Sequence, residues 1–223
     1  MQAVAADSIR LTRRLLACGL ASGLVFFAVG FAQALTRTGF DIRHNALSQL
    51  SLGDEGWIQI TSFLVTGLLA VACAVGVRRA IGGQRGGTWG ALFIGTFGLG
   101  LIIAGIFPPD PAFGFPPGAP SGPATTMSGH AAGHALGFFL SLLATIGGVI
   151  VFARRSHFQG ERGWVTYLIA TAVAGPVLIA LSIAFMSWGG VIVALAGVVM
   201  FGWVAAVAAR LRSDVLKEGS LVA

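Results

Sequence analysis

Long apolar runs separated by short polar segments set the pattern of this sequence. A helix needs about 20 consecutive, mostly apolar residues to cross the hydrocarbon core of a membrane. Six runs have about that length and cover residues 15–36, 57–77, 88–107, 130–153, 164–186 and 188–209. The pattern therefore predicts an all-α integral membrane protein, a six-transmembrane-helix bundle that forms a single domain over residues 1–223.

The basic residues predict how this bundle is oriented. Twelve of the 14 Lys and Arg residues precede the first run, follow the last run, or lie in the second-to-third and fourth-to-fifth connections. Cytoplasmic segments of membrane proteins carry such an excess of positive charge, so we expect both termini in the cytoplasm. Arg37, Arg43 and the long connection between helices 3 and 4 are then expected outside.

Composition narrows the possible functions. Only 10% of the residues are charged and the mean hydropathy is +0.86, whereas a typical soluble domain has about 25% charged residues. The net charge of +6 comes from short basic clusters between apolar runs, not from an extended basic face of the kind that binds nucleic acid. We therefore expect membrane lipid as the partner and no nucleic acid.

The two long outer connections have different patterns. In residues 37–56, apolar side chains such as Ala46 and Leu50 recur at helical spacing among polar ones, which predicts a short amphipathic helix on the membrane surface. The connection from Pro108 to Gly129 holds seven of the eight prolines. Proline lacks the N–H that regular structure needs, so we expect an extended, stiff cover there.

Two histidines provide the sharpest chemical signal. His130 and His134 are four residues apart at the start of the fourth run, so their imidazoles project from one face of a helix. Helical metal sites use this spacing, and the candidate third ligand is His44 or Asp110. Zinc or another divalent metal, held there with one open position, would activate water. The alternative is that both histidines lie at the membrane interface and bond to loop carbonyls.

Further polar residues on the same side complete a candidate site. Asp41, Ser48 and Asp110 are the candidate catalytic side chains, although Asp110 is equally suited to capping the loop or pairing with Arg43. One hypothesis is therefore a metal-dependent hydrolase of a lipid or lipid-linked substrate. The other is a non-catalytic lipid-binding protein or accessory subunit, whose glycine-rich helix faces pack against a protein partner or a second copy.

Three segments of the sequence resemble a known family. They are His44-Asn45-Ala46-Leu47-Ser48-Gln49-Leu50-Ser51-Leu52-Gly53 with the following Gly56-Trp57, Gly105-Ile106-Phe107-Pro108-Pro109-Asp110-Pro111 with Pro116-Pro117-Gly118, and Gly129-His130-Ala131-Ala132-Gly133-His134. In this order they are similar to the bacterial membrane family catalogued as domain of unknown function 998, over residues 15–210. The resemblance implies a six-helix protein of the bacterial plasma membrane, and it supplies no mechanism.

Overall fold

Six α-helices make up most of the chain. The computed structural model describes the backbone of residues 2–221 and the side chains of residues 6–217. The α-helices are α1 (Gln2–Thr36), α2 (Gly56–Ile81), α3 (Gly87–Ile106), α4 (Gly129–Phe158), α5 (Arg162–Ala184) and α6 (Gly189–Leu221). Two short 3-10 helices, Leu47–Ser51 and Met186–Trp188, lie in the connections after α1 and α5, and residues 2–221 form no β-sheet.

These helices confirm the predicted fold class. Within the described residues, six helices are long and apolar enough to cross a membrane, and each overlaps one of the predicted runs. The largest differences lie at one end of the bundle, where α1 begins at Gln2, α2 ends at Ile81, α4 ends at Phe158 and α6 continues to Leu221. Arginine and lysine are good helix formers, so the helices continue from the apolar runs into the basic segments.

The six helices form a closed ring. Each packs against its neighbours in the chain, and α6 packs against α1. We call the end that carries residues 37–55 and 107–128 the loop end, and the opposite end, which carries most basic residues, the arginine end. There, Arg79 of α2 donates hydrogen bonds to Ser8 and Thr12 of α1. Which end faces the cytoplasm stays a prediction.

Glycine brings α2, α3 and α4 into backbone contact. A Cβ atom on Gly98 of α3 would lie 2.6 Å from the carbonyl oxygen of Gly67 in α2, and one on Gly100 would lie 2.5 Å from that of Gly137 in α4. Small residues allow this close approach of helices in lipid. These glycines therefore pack within the chain, and contact with a protein partner or second copy stays a prediction.

The connection after α1 differs from its prediction. Its helical segment, Leu47–Ser51, is a 3-10 helix that packs against α1 and α2. Leu47 and Leu50 are buried there, and the Leu47 side chain lies where a side chain on Gly30 of α1 would be. The prediction of an amphipathic helix on the membrane surface is wrong, because the bundle offers these leucines a packed site between two helices.

The proline-rich connection is held to the first connection by buried side chains. Phe115 is fully buried, and its ring centroid lies 5.2 Å from the guanidinium carbon of Arg37. The amide groups of Asn45 and Gln49 both donate to the carbonyl of Ala112, at 3.4 and 3.3 Å. This connection folds into hydrogen-bonded turns and is not the extended cover that its proline content predicts.

Replacing Gly100 by alanine is expected to lower the free energy of unfolding by about 1–3 kcal/mol, the usual cost of overpacking. The new methyl group would lie 2.5 Å from the Gly137 carbonyl oxygen and also meet Ser141 Oγ. Thermal unfolding in detergent micelles measures the change.

Gly202→Ala is the control for this substitution. No atom lies within 4 Å of the Cβ position of Gly202, so alanine should stabilise α6 by up to about 1 kcal/mol through its higher helix propensity. A Gly100→Ala protein as stable as wild type would contradict the close packing of α3 against α4.

Candidate functional site

A cavity lies inside the bundle beside the 3-10 helix Leu47–Ser51. Its walls come from that segment and from α1, α2, α3, α4 and α6. The phenylalanines that line it are Phe26, Phe27, Phe63, Phe97, Phe138 and Phe201. The centre of a water-sized sphere can reach about 90 Å³ of this space, several times the roughly 10–15 Å³ that one water molecule needs. The cavity therefore has room for part of an apolar molecule.

The phenylalanine rings support one another. The Phe201 ring of α6 stacks on Phe26 of α1 at a centroid distance of 5.0 Å and meets Phe97 of α3 edge-on at 5.2 Å. Phe26 also meets Phe63 of α2 edge-on at 5.2 Å. Offset-stacked and edge-to-face pairs are the arrangements that aromatic rings prefer. Four helices thus hold the apolar walls in a mutually packed arrangement.

Three polar side chains, Ser48, His134 and Ser141, also line the cavity. The hydroxyl oxygen of Ser141 lies 3.0 Å from the Gly137 carbonyl and 3.1 Å from the Phe97 carbonyl, so this hydroxyl donates to the backbone. The Ser48 hydroxyl makes no hydrogen bond to another of the described residues. Ser48 therefore has both donor and acceptor capacity to offer to a bound molecule.

His134 is fixed by the end of the neighbouring helix. Its Nδ1 lies 2.9 Å from the carbonyl oxygen of Ala104 and 3.0 Å from that of Phe107. Carbonyl oxygens only accept hydrogen bonds, so Nδ1 carries the proton and donates it. If α3 continued, the N–H groups of residues 108 and 111 would bond to these carbonyls, but both residues are proline. The His134 side chain thus caps the C-terminus of α3.

The His134 tautomer leaves Nε2 as the acceptor of a neutral ring. Within the described residues this atom has no hydrogen-bond partner. His130, one turn earlier in α4, is exposed at the loop end, and its ring packs 5.7 Å from that of Phe107. For His134, the alternative expectation of a histidine bonded to carbonyls is confirmed.

Asp41 and His44 belong to a local motif in the first connection. Nη2 and Nε of Arg43 donate to the Asp41 carboxylate at 2.6 and 3.0 Å. His44 Nδ1 lies 3.3 Å from the same carboxylate. The hydrogen bonds from Arg43 hold the pKa of Asp41 well below its usual range. Asp41 is therefore an ionised structural partner of Arg43.

Asp110 caps the start of α4. Its Oδ2 accepts a 2.9 Å hydrogen bond from the Ser128 N–H, and Ser128 Oγ in turn accepts one from the Ala131 N–H at 3.0 Å. Hydrogen bonds from the side chain and main chain of Ser128 lower the pKa of Asp110. The expectation that Asp110 caps the loop is confirmed, and its alternative pairing with Arg43 is wrong because Arg43 binds Asp41.

The structure does not bring the candidate metal ligands together. Among the side chains of residues 6–217, no three His, Cys, Asp or Glu residues form a group that could hold a metal ion. His44 is bonded to Asp41 and Asp110 to Ser128, so neither is placed as a third ligand beside His130 and His134. Metal binding by the two histidines themselves stays a prediction.

The aromatic lining of the cavity was not among the sequence-based candidates. A phenylalanine in an apolar run has the same sequence signal whether it faces lipid or the bundle interior. The 16 phenylalanines of the chain include exposed ones such as Phe139 and Phe158. Only the packing of α6 against α1 and α3 distinguishes Phe201, Phe26 and Phe97 from them.

Replacing His134 by alanine is expected to lower the free energy of unfolding by about 1–3 kcal/mol, because two main-chain carbonyls would lose their donor away from water. His130→Ala is the matched control on the same helix face. Its ring is exposed and makes no hydrogen bond to the described residues, so its effect should stay within about 0.5 kcal/mol. Equal thermal stability of the two variants would show that His134 does not cap α3.

Comparison with known proteins gives one family. A family model described as "Protein of unknown function (DUF998)" matches residues 20–210. No curated protein and no solved structure matches the chain. The match spans all six helices, the 3-10 helix beside the cavity and the histidine pair. The chain therefore belongs to the DUF998 family of proteins of unknown function, as the resemblance of its three sequence segments implies.

Proposed function

We propose that this protein binds a membrane lipid, with an apolar chain of the lipid in the phenylalanine-lined cavity. The observation that carries the proposal is this cavity, enclosed by five helices of a chain whose helices are long and apolar enough to span a membrane. Ligand sites are typically concave and mostly apolar, with a few placed polar groups. Here those groups are Ser48 and His134, and the alternative function of a non-catalytic lipid-binding protein is the one we favour.

The length of the cavity suits a chain from a single leaflet. Its lining extends to Phe201, 12 residues into α6, and to Phe97, nine residues before the end of α3. At 1.5 Å per residue these positions are about 14–18 Å from the loop end. The hydrocarbon core is about 30 Å thick, so the cavity reaches roughly to its middle. The polar part of the lipid would remain near the loop end.

Ser48 and the Nε2 atom of His134 are suited to that polar part. Ser48 lies on the 3-10 helix and His134 in the second turn of α4, so both are close to the loop end. A hydroxyl and an imidazole acceptor bind uncharged groups such as lipid hydroxyls and ester carbonyls. The cavity lining contains no Asp, Glu, Lys or Arg among the described residues, which favours an uncharged group in the cavity.

The orientation that we propose places the loop end outside the bacterial plasma membrane and the arginine end in the cytoplasm. The support is the distribution of charge, because 12 of the 14 basic residues belong to the arginine end. The cavity would then receive its lipid from the outer leaflet.

Metal-dependent hydrolysis of a lipid or lipid-linked substrate is a second candidate, supported by the geometry of one residue. Metal-binding histidines almost always donate their other ring N–H to a carboxylate, a main-chain carbonyl or water. His134 makes such a bond through Nδ1, which leaves Nε2 for an ion. His130 would be the second ligand, and water or substrate would occupy the remaining positions. Ser48 is the catalytic candidate in contact with the cavity, since Asp41 and Asp110 are engaged elsewhere.

Filling the cavity is expected to displace the lipid. Ala194 of α6 lines the cavity, whereas its neighbour Leu195 is half exposed on the outer surface. Ala194→Phe would add a ring to a space of about 90 Å³, so we expect the lipid retained after mild detergent purification to fall at least several-fold. Native mass spectrometry measures the retained lipid.

Leu195→Phe adds an aromatic ring to the next residue without entering the cavity, and it should keep the wild-type lipid content. Both variants must unfold at temperatures near that of wild type for the comparison to hold. Wild-type protein without a bound lipid, or equal lipid in both folded variants, would contradict the lipid-binding proposal.

Metal analysis tests the second candidate separately. The hydrolase predicts stoichiometric zinc, iron or manganese in purified wild-type protein and its loss from a His130→Ala/His134→Ala double variant. Elemental analysis of both proteins gives the answer without a known substrate. Wild-type protein without stoichiometric metal would exclude this candidate and leave lipid binding untouched.

A further inference from the structure

We infer that a buried water-binding site joins α1, α2 and the 3-10 helix at the loop end. The site consists of four polar side chains, Gln33, Ser51, Gln59 and Ser62, whose exposed fractions lie between 0% and 5%. We call them the glutamine-serine cluster. It is separate from the cavity, since none of the four lines it.

Each member of the cluster has a buried polar atom without a protein partner. Among the described residues these atoms are Oε1 of Gln33, Nε2 of Gln59 and the hydroxyl oxygens of Ser51 and Ser62. A buried polar group without a hydrogen bond costs about 1–3 kcal/mol in proteins. Four such atoms in one place would be a large cost, which a bound polar molecule removes.

The four side chains come from three segments that meet. Gln33 Nε2 of α1 donates to Gln59 Oε1 of α2 at 2.8 Å. Ser62 is three residues after Gln59, on the same face of α2. Gly56, one turn before Gln59, packs against the main chain of Ser51, whose carbonyl a Cβ on Gly56 would meet. The unpartnered atoms are therefore grouped around the outer turns of α1 and α2.

The mixture of donors and acceptors indicates which ligand fits. Gln59 offers N–H donors, Gln33 offers a carbonyl acceptor, and each serine hydroxyl can do both. A metal cation would face the Gln59 amide protons, and an anion would face the Gln33 carbonyl oxygen. One or more water molecules can donate to Gln33 Oε1 and accept from Gln59, and buried waters typically make about three such bonds.

This conclusion does not depend on how the two amide groups are oriented. A hydrogen bond between two glutamine side chains always leaves one N–H side and one C=O side unused, even if both amides are flipped. The observed orientation is also fixed by the second bond of Gln33 Nε2, which donates to the Val29 carbonyl at 3.3 Å. Either way the cluster offers both donors and acceptors to its ligand.

Water-edited solid-state NMR of the full-length protein in lipid bilayers tests the site directly. Magnetisation from water should reach the side-chain amide nitrogens of Gln33 and Gln59. Trp203 is the matched control, because its buried indole N–H donates to Thr145 Oγ1 at 3.1 Å and has no free capacity. Amide signals as weak as that of Trp203 at the same mixing time would overturn the inference.

A serine substitution gives an independent stability readout. If Ser62 is bonded to water, Ser62→Ala should lower Tm by about 2–4 °C, the shift for a lost hydrogen bond of roughly 1 kcal/mol in a protein of this size. Ser22→Ala is the control, because that equally buried hydroxyl donates to the Gly19 carbonyl of its own helix and should be less sensitive. An unchanged or raised Tm for Ser62→Ala, as when an unpartnered hydroxyl is removed, would overturn the inference.

Exchange of sodium chloride for choline chloride tests the choice of a neutral ligand. Wild-type Tm should be the same in both salts if the cluster holds water. A lower Tm in choline chloride that Ser62→Ala abolishes would identify a bound cation and overturn the assignment of water.

Discussion

The hydrocarbon core of a membrane has no hydrogen-bond donors or acceptors, and the rest of this structure depends on that constraint. Every backbone N–H and C=O group at membrane depth has to find a partner within the protein. Helices satisfy almost all of them internally, which is why the six apolar runs are helical. The exceptions are helix ends, and the end of α3 is the most demanding because Pro108 and Pro111 provide no N–H. His134 supplies the missing donor.

The same constraint links the fold to the candidate site. α2, α3 and α4 approach one another through glycine, so little space remains between them. On the other side of the ring, Phe201 of α6 packs ring against ring with Phe26 and Phe97. Large rings that meet edge-on leave gaps that glycine contacts do not, and the cavity lies among these rings. Its position thus follows from the contrast between the two kinds of helix packing.

Much of the fold was predictable because the spacing of apolar residues is set by membrane thickness. The ends of the helices at the loop end were predicted within about two residues, since Gly56, Gly129 and the prolines after α3 interrupt the pattern there. The arginine ends were not, because hydropathy records where the hydrocarbon ends and a helix does not have to end there. The buried 3-10 helix was assigned to the surface, because a short amphipathic segment has the same pattern on a membrane as on a protein.

The histidine pair shows why a correct sequence pattern does not identify a role. The spacing of His130 and His134 placed both on one helix face, which the structure retains. What His134 does depends on α3, more than 25 residues earlier in the chain. The prolines at positions 108 and 111 were the available signal, because they leave carbonyls that some donor must satisfy. Since the same ring lines the cavity, a ligand bonded to Nε2 would act on the side chain that caps α3, and occupancy of the cavity would be coupled to the stability of that helix end.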